Sequence, residues 1–88
     1  MPETALSAVT VRYFAGARAA AGVDQESVSL PAGSTVGDLV AELGRRRPAL
    51  TEVLERCSYL ADEVAVRDLA TPLGAGATVD VLPPFAGG

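Results

Sequence analysis

The sequence has no histidine, no lysine and no tryptophan, and its 88 residues include a single cysteine, Cys57. Without histidine it lacks the side chain that most often serves as a general base near neutral pH and that most often binds zinc. One cysteine cannot form an internal disulfide, and on its own it cannot make a zinc site. The usual side chains of catalysis and metal binding are almost absent, so we expect no metal and no bound cofactor.

The charge and the hydropathy exclude further classes of protein. All seven positive charges are arginines, and the formal net charge is −4. An acidic chain with few aromatic residues is a poor nucleic-acid binder, because phosphate contacts dominate that affinity, whereas a basic protein surface suits it better. No apolar run approaches the roughly 20 residues of a membrane-spanning helix, and the N-terminal MPETALSA is too polar and short for a signal peptide. We expect a cytoplasmic protein that binds neither nucleic acid nor membranes.

The first third of the chain predicts an antiparallel hairpin. Residues 1–7 are expected to be a flexible N-terminus. From Ala8 to Phe14 the sequence AVTVRYF alternates between apolar and polar residues, and QESVSL alternates in the same way with Val28 and Leu30 pointing inward. The intervening AGARAAAG has a glycine near each end and room for a single helical turn.

The middle of the chain predicts two helices. Ser34 or Thr35 can cap the first, and Arg45–Arg47 lie at its C-terminal end, where positive charge suits the helix dipole. The second begins at Pro48. Each carries apolar residues at helical spacing, which are Val36, Leu39, Val40 and Leu43 in the first and Leu50, Val53, Leu54 and Cys57 in the second.

The last third predicts a short strand around Val64 and Val66, a glycine turn, and a final strand, TVDVL. The first and last strands are the most apolar, which favours neighbouring central positions. Parallel strands need a long crossover, and the middle of the chain supplies one. We therefore predict an α+β, β-grasp roll over residues 8–82, with a mixed sheet of four to five strands packed on one main helix and a short second helix.

The chain then ends on PPFAGG, which we expect to be an extended tail over residues 83–88. Pro83 and Pro84 end sheet pairing and favour a polyproline II conformation. Six extended residues span up to about 20 Å, and two terminal glycines without Cβ atoms allow a narrow channel to close around the backbone. Phe85 is the expected anchor in a partner pocket, just before Ala86, Gly87 and Gly88 enter the channel.

Several short motifs together resemble the MoaD/ThiS family of ubiquitin-like sulfur carriers over residues 9–88. They are Phe14-Ala15-x-x-Arg18, Thr35-Val36-x-x-Leu39, Ala65-Val66, Leu73-x-x-Gly76 and Pro83-Pro84-x-x-Gly87-Gly88. The first motif and the double proline point to the molybdopterin branch of the family. Ala19, Arg67 and Ala77 depart from its common pattern at positions that shape turns and a partner surface.

The resemblance implies a carrier that is not an enzyme alone. An ATP-dependent adenylyltransferase, related to the enzyme that activates ubiquitin, would adenylate Gly88, and a sulfur donor protein would then allow a thiocarboxylate to form there. The tail would insert into the large subunit of molybdopterin synthase, within a heterotetramer of two small and two large subunits, and donate sulfur to the pterin precursor. The expected partner interface beside the tail consists of Leu82, Phe14, Arg18 and Arg67.

Other interpretations stay open on the sequence. The carrier could supply thiazole, cysteine or another acceptor pathway, the tail could join a target lysine as a protein modifier, or the domain could be an interaction module with an idle tail. Cys57 fits a core position better than a persulfide site. The Arg45–Arg47 run fits a solvated helix end better than a grip on an acidic partner, and Arg18 fits a surface contact as well as a turn-stabilising donor.

Overall fold

The structure is a computed structural model that describes residues 5–84, so the predictions for Phe85, Ala86, Gly87 and Gly88 lie outside the described residues. A 3-10 turn at Pro48–Leu50 leads into the third helix. The strands and helices, in chain order, are β1 (Leu6–Tyr13), α1 (Ala15–Ala21), β2 (Gln25–Pro31), α2 (Val36–Arg46), α3 (Thr51–Arg56), β3 (Ser58–Ala61), β4 (Val64–Ala65) and β5 (Thr78–Leu82).

The five strands form one mixed sheet in the order β2-β1-β5-β3-β4. The first and last strands lie side by side and parallel, with Val11 opposite Val79 and Tyr13 opposite Val81. The remaining neighbours, including the β1–β2 hairpin, are antiparallel. This mixed five-stranded sheet with its helical crossover is the β-grasp fold, as the sequence predicts.

The core lies between the sheet and the helices, and Val28 and Leu30 point inward, as predicted. Alternate residues of the three longest strands are buried, which are Val9, Val11, Tyr13, Val28, Leu30, Val79 and Val81. Helix α2 adds Val36, Leu39 and Leu43, and the segment from the 3-10 turn through α3 adds Leu50 and Leu54. Val40, Val53 and Cys57 are only partly buried against this core.

Three local features differ from the sequence predictions. Strand β1 begins at Leu6, because Leu6 and Ser7 pair with Pro31 and Leu30 and so belong to the sheet rather than to a free N-terminus. Helix α1 has seven residues and ends at Gly22 in a left-handed conformation, so it is longer than a single turn. Strand β3 was not predicted; its four residues are a strand because they pair with β5 and β4, which local alternation does not reveal.

None of the helices within residues 5–84 is both long and apolar enough to cross a membrane.

Helix α2 begins with a capping box. The Thr35 hydroxyl accepts the backbone N–H of Asp38 at 3.1 Å, and the Asp38 carboxylate accepts the backbone N–H of Thr35 at 2.9 Å. These bonds satisfy amide groups that have no partner inside the helix. Of the two predicted caps, Thr35 is therefore the one used.

We expect Thr35→Ala to lower the free energy of unfolding by about 1 kcal/mol, since an alanine cannot accept the Asp38 amide hydrogen. Urea denaturation followed by circular dichroism measures this change. Ser29→Ala, at an exposed position of β2, is the control and should leave the unfolding midpoint almost unchanged. Equal midpoints for the two variants would contradict a stabilising role for the capping box.

Candidate functional site

The two central strands bring the root of the tail to an exposed edge of the sheet. Because β1 and β5 are parallel, both end at the same edge. The backbone N–H of Phe14, which follows β1, donates to the carbonyl oxygen of Val81 at 3.2 Å. Phe14 therefore lies beside the start of the tail, and 38% of its surface is exposed. The structure thus places Phe14 beside Val81 and Leu82.

Strand β3 forms the other side of the root. Leu82 is paired with Ser58, the first residue of β3. Leu82 and Pro83 are half-buried, whereas Pro84 is exposed and lies in a turn. The chain thus leaves a strand that is paired on both sides and reaches solvent at Pro84. This arrangement fixes where the tail starts.

Arg18 lies on α1, the helix that follows Phe14 directly. Its guanidinium is 3.7 Å from the carboxylate of Asp24, and both side chains are largely exposed. An exposed pair at this distance contributes little to stability. Within residues 5–84 the Arg18 side chain makes no hydrogen bond, so of its two interpretations the structure favours a surface position over a turn-stabilising donor.

Arg67 lies apart from Phe14 and Arg18. It follows the edge strand β4, two strands away from β5 in the sheet. There it is exposed and lines a groove of about 780 Å³ between α2, α3, the start of β3 and the loop at residues 66–69. The four residues predicted for one partner interface therefore divide into a root surface, formed by Leu82, Phe14 and Arg18, and a separate groove that contains Arg67.

An ion pair that sequence reasoning missed joins the central strands just before the tail. Arg12 Nε and Nη2 donate to the two carboxylate oxygens of Asp80 at 2.6 and 2.9 Å. Asp80 is buried, with 6% of its surface exposed, although it lies on the face of the sheet opposite the core. Arg12 and Asp80 are directly opposite in the β1–β5 register. This bidentate contact holds the register close to the root of the tail.

Each of the three consecutive arginines forms an ion pair with a glutamate of the same chain. Arg47 donates to the Glu26 carboxylate at 3.0 and 3.1 Å and to the carbonyl oxygen of Ala21 at 2.8 Å. Its hydrogen bonds lower the pKa of Glu26. Arg45 and Arg46 both bind Glu42, and these hydrogen bonds lower the pKa of Glu42 to about 2. Arg47 therefore links α2 to β2 and α1, a role that the run of like charges did not predict.

Cys57 lies at the end of α3 and is half-buried. Its thiol donates to the carbonyl oxygen of Val53 at 3.1 Å, and burial raises the pKa of the thiol. A raised pKa reduces the thiolate fraction, which is the nucleophilic form. The structure favours the packing interpretation of Cys57 over a persulfide site.

Comparisons with known sequences identify the family of the chain. The sequence model of the ThiS family matches residues 11–88. The chain belongs to the ThiS family. It is 33% identical over 81 residues to the molybdopterin synthase sulfur carrier subunit of Chlamydomonas reinhardtii, covering 91% of this chain and 98% of the relative.

This ThiS-family chain is also similar to two solved structures whose names describe different proteins, a protein modifier and a molybdopterin-converting factor. It is similar to small archaeal modifier protein 1 of Methanosarcina acetivorans, with a TM-score of 0.80 and 27% identity over 96% of this chain and 99% of that one. It is also similar to a chain in the complex of subunits 1 and 2 of the molybdopterin-converting factor of Helicobacter pylori. There the TM-score is 0.65 and the identity 28%, over 92% of this chain and 99% of that chain.

Proposed function

We propose that the chain is the sulfur-carrying small subunit of a molybdopterin synthase and that the carboxyl group of Gly88 carries the sulfur. The observation that carries this proposal is the family match that extends to Gly88, combined with a central strand that leads directly into the tail. The curated relative in Chlamydomonas is a sulfur carrier subunit of that synthase, and it aligns over nearly its whole length.

The chemistry requires activation by another protein. A terminal carboxyl group has a pKa of about 3.5, so at neutral pH it is an anion that resists nucleophiles. In the proposed first step a carboxylate oxygen of Gly88 attacks the α-phosphorus of ATP and pyrophosphate leaves. A sulfur nucleophile from the donor then attacks the acyl carbon and AMP leaves. After the donor's sulfur bond is cleaved by a reductant, a thiocarboxylate stays on Gly88. This chain supplies the acyl group, and its partners supply the catalytic side chains.

The root surface suits recognition by two partners in turn. Phe14 and Leu82 offer an apolar contact beside the tail, and Arg18 offers an exposed positive charge. The similarity to a chain in a two-subunit complex supports a larger second subunit as one partner. The adenylyltransferase would have to bind the same tail. We therefore propose that the two complexes exclude one another and that the synthase is a heterotetramer.

We expect protein purified from its own cells to contain a fraction whose intact mass shows the exchange of one oxygen for one sulfur. Fragmentation should place the exchange in the last peptide, because Gly88 provides the carboxyl group. A chain that lacks Gly87 and Gly88 is the matched control and should show no such fraction. Sulfur found on Cys57 instead of the terminal peptide would contradict the proposal.

A second function has one observation in its favour, the similarity to an archaeal modifier protein. A modifier would join its terminal glycine to a lysine of another protein. Because this chain has no lysine, it could not build a polymer on itself. Conjugates of higher mass on an immunoblot, lost when Gly88 is removed, would support this role, whereas sulfur on the terminus without conjugates supports the carrier.

A further inference from the structure

Two residues of the root surface lie on a segment that is not stable by itself. Phe14 lies between β1 and α1, and Arg18 lies on α1. Helix α1 has seven residues, and a helix of that length does not persist in water without tertiary contacts. The orientation of Phe14 and Arg18 is therefore decided by the contacts that hold this segment in place.

The junction between β1 and α1 carries backbone strain. Ala15, the first residue of α1, has a φ of +47°, in the left-handed region that residues with a Cβ rarely adopt. Such a conformation is costly, and it persists only where the surrounding structure fixes it. Since Ala15 directly follows Phe14, the contacts that fix this junction also fix Phe14 relative to Arg18.

The carboxylate of Glu26 holds the N-terminal end of the segment. The Tyr13 hydroxyl donates a hydrogen bond to this carboxylate, and Tyr13 is the residue directly before Phe14. Glu26 has only 16% of its side-chain surface exposed. A hydrogen bond that is shielded from water is stronger than one at the surface, so it constrains Tyr13 firmly.

Arg47 holds the C-terminal end of the same segment. Its guanidinium donates to both carboxylate oxygens of Glu26, at 3.0 and 3.1 Å, and to the carbonyl oxygen of Ala21 at 2.8 Å. Ala21 is the last residue of α1, where carbonyl groups lack a partner inside the helix and a positive charge is favourable. One Arg–Glu pair thus fixes both ends of the segment that carries Phe14 and Arg18.

We propose that Arg47 and Glu26 are positioning residues, which orient the root surface for the partner that binds the tail. That partner is the adenylyltransferase or the large subunit, so this role rests on the proposed function. The pair acts through Tyr13 and Ala21, and its loss allows the segment between them to leave the orientation that the partner recognises. The apparent affinity then falls in proportion to the fraction of molecules that keep this orientation.

Kinetics of ATP-dependent adenylation test this role, with pyrophosphate release measured at several concentrations of folded chain. We expect Arg47→Gln to raise the KM for the chain at least about threefold, the change for a segment that keeps its orientation about one-third of the time. The kcat should not change, because a rise in KM alone reports lost binding rather than lost chemistry.

Arg47→Lys keeps the positive charge but has a single nitrogen in place of the planar guanidinium that makes three bonds. Its KM should also exceed the wild-type value, and it provides the measurement if Arg47→Gln does not fold. Arg46→Gln is the matched control, because it is the same substitution at the adjacent residue, whose ion pair with Glu42 stays within α2. Its KM should equal that of the wild type. Thermal unfolding of each variant gives the concentration of folded chain.

Phe14→Ala separates positioning from a general loss of structure. If the pair acts through Phe14, Arg47→Gln should raise the KM less in a chain that already carries Phe14→Ala than in the wild type. An equal rise in both backgrounds would overturn the positioning role. Equal KM values for the wild type and Arg47→Gln, or a rise of the same size in Arg46→Gln, would also overturn it. A wild-type chain that releases no pyrophosphate would overturn the proposed function as well, so the two failures are distinguishable.

Discussion

Replacing Gly88 with valine is expected to lower the rate of ATP-dependent adenylation of the terminus by about 10²-fold or more. A branched Cβ next to the reacting carboxylate displaces it from the activated phosphorus, and a misplacement of about 1 Å at a reacting centre costs a factor of this size. The rate is measured as pyrophosphate release with the purified adenylyltransferase. The fold should be unaffected, because Gly88 lies beyond the last strand.

Gly74→Val is the matched control for this substitution. It introduces the same side chain at a glycine whose added Cβ would contact nothing within 4 Å and whose backbone is not left-handed. We expect normal adenylation from this variant. If Gly88→Val were also adenylated at the normal rate, the terminus would not pass through a narrow site. The proposal that Gly87 and Gly88 lack side chains in order to fit such a site would then be wrong.

Leu39→Ala is expected to lower the free energy of unfolding by about 2–5 kcal/mol, which is the range for a fully buried leucine. Leu39 has no exposed surface and lies on the face of α2 that packs on the core. Since small domains are stable by only about 5–15 kcal/mol in total, this loss threatens the folded state. Guanidinium denaturation followed by circular dichroism measures the change.

Leu6→Ala provides the comparison for the core substitution, because Leu6 is 67% exposed and the change should stay within about 0.5 kcal/mol. Sulfur loading of the Leu39→Ala protein should fall only in proportion to its unfolded fraction, since Leu39 is fully buried in the core and is not one of the residues of the root surface. A loss of loading in protein that is still folded would point to a functional role for α2 that the structure does not predict.

The main parts of the fold could be predicted because local patterns encode them. Alternation identified which residues of β1 and β5 share a face and which residues of β2 point inward, and helical spacing identified the core positions Leu39 and Leu43. The apolar character of the first and last strands predicted that they are central neighbours, and the middle of the chain is long enough for the crossover that their parallel pairing requires. By contrast, β3 has only four residues, and its state is decided by its neighbours β5 and β4 rather than by its own sequence.

Contacts between distant residues account for what the sequence did not reveal. Arg12 and Asp80 are 68 positions apart, and only the β1–β5 register shows that they are partners. In the sequence Arg47 is one of three adjacent positive charges, and only the folded structure shows that Glu26 and Ala21 are its hydrogen-bond partners. The groove could not be predicted for the same reason, because its lining comes from four separate parts of the chain: α2, α3, β3 and the loop at residues 66–69. Such a cavity depends on packing distances that no short motif specifies.

The position of β5 between β1 and β3 also determines how the domain bears mechanical load. If a partner draws the terminus into a channel, as proposed, it pulls along a strand that is hydrogen-bonded on both sides. The force then acts in shear on all of these bonds at once, and it cannot open them one after another as it would in a terminal hairpin. A pull of this kind on the tail would therefore be resisted by both neighbouring strands, and the domain would not unravel from its C-terminal strand alone.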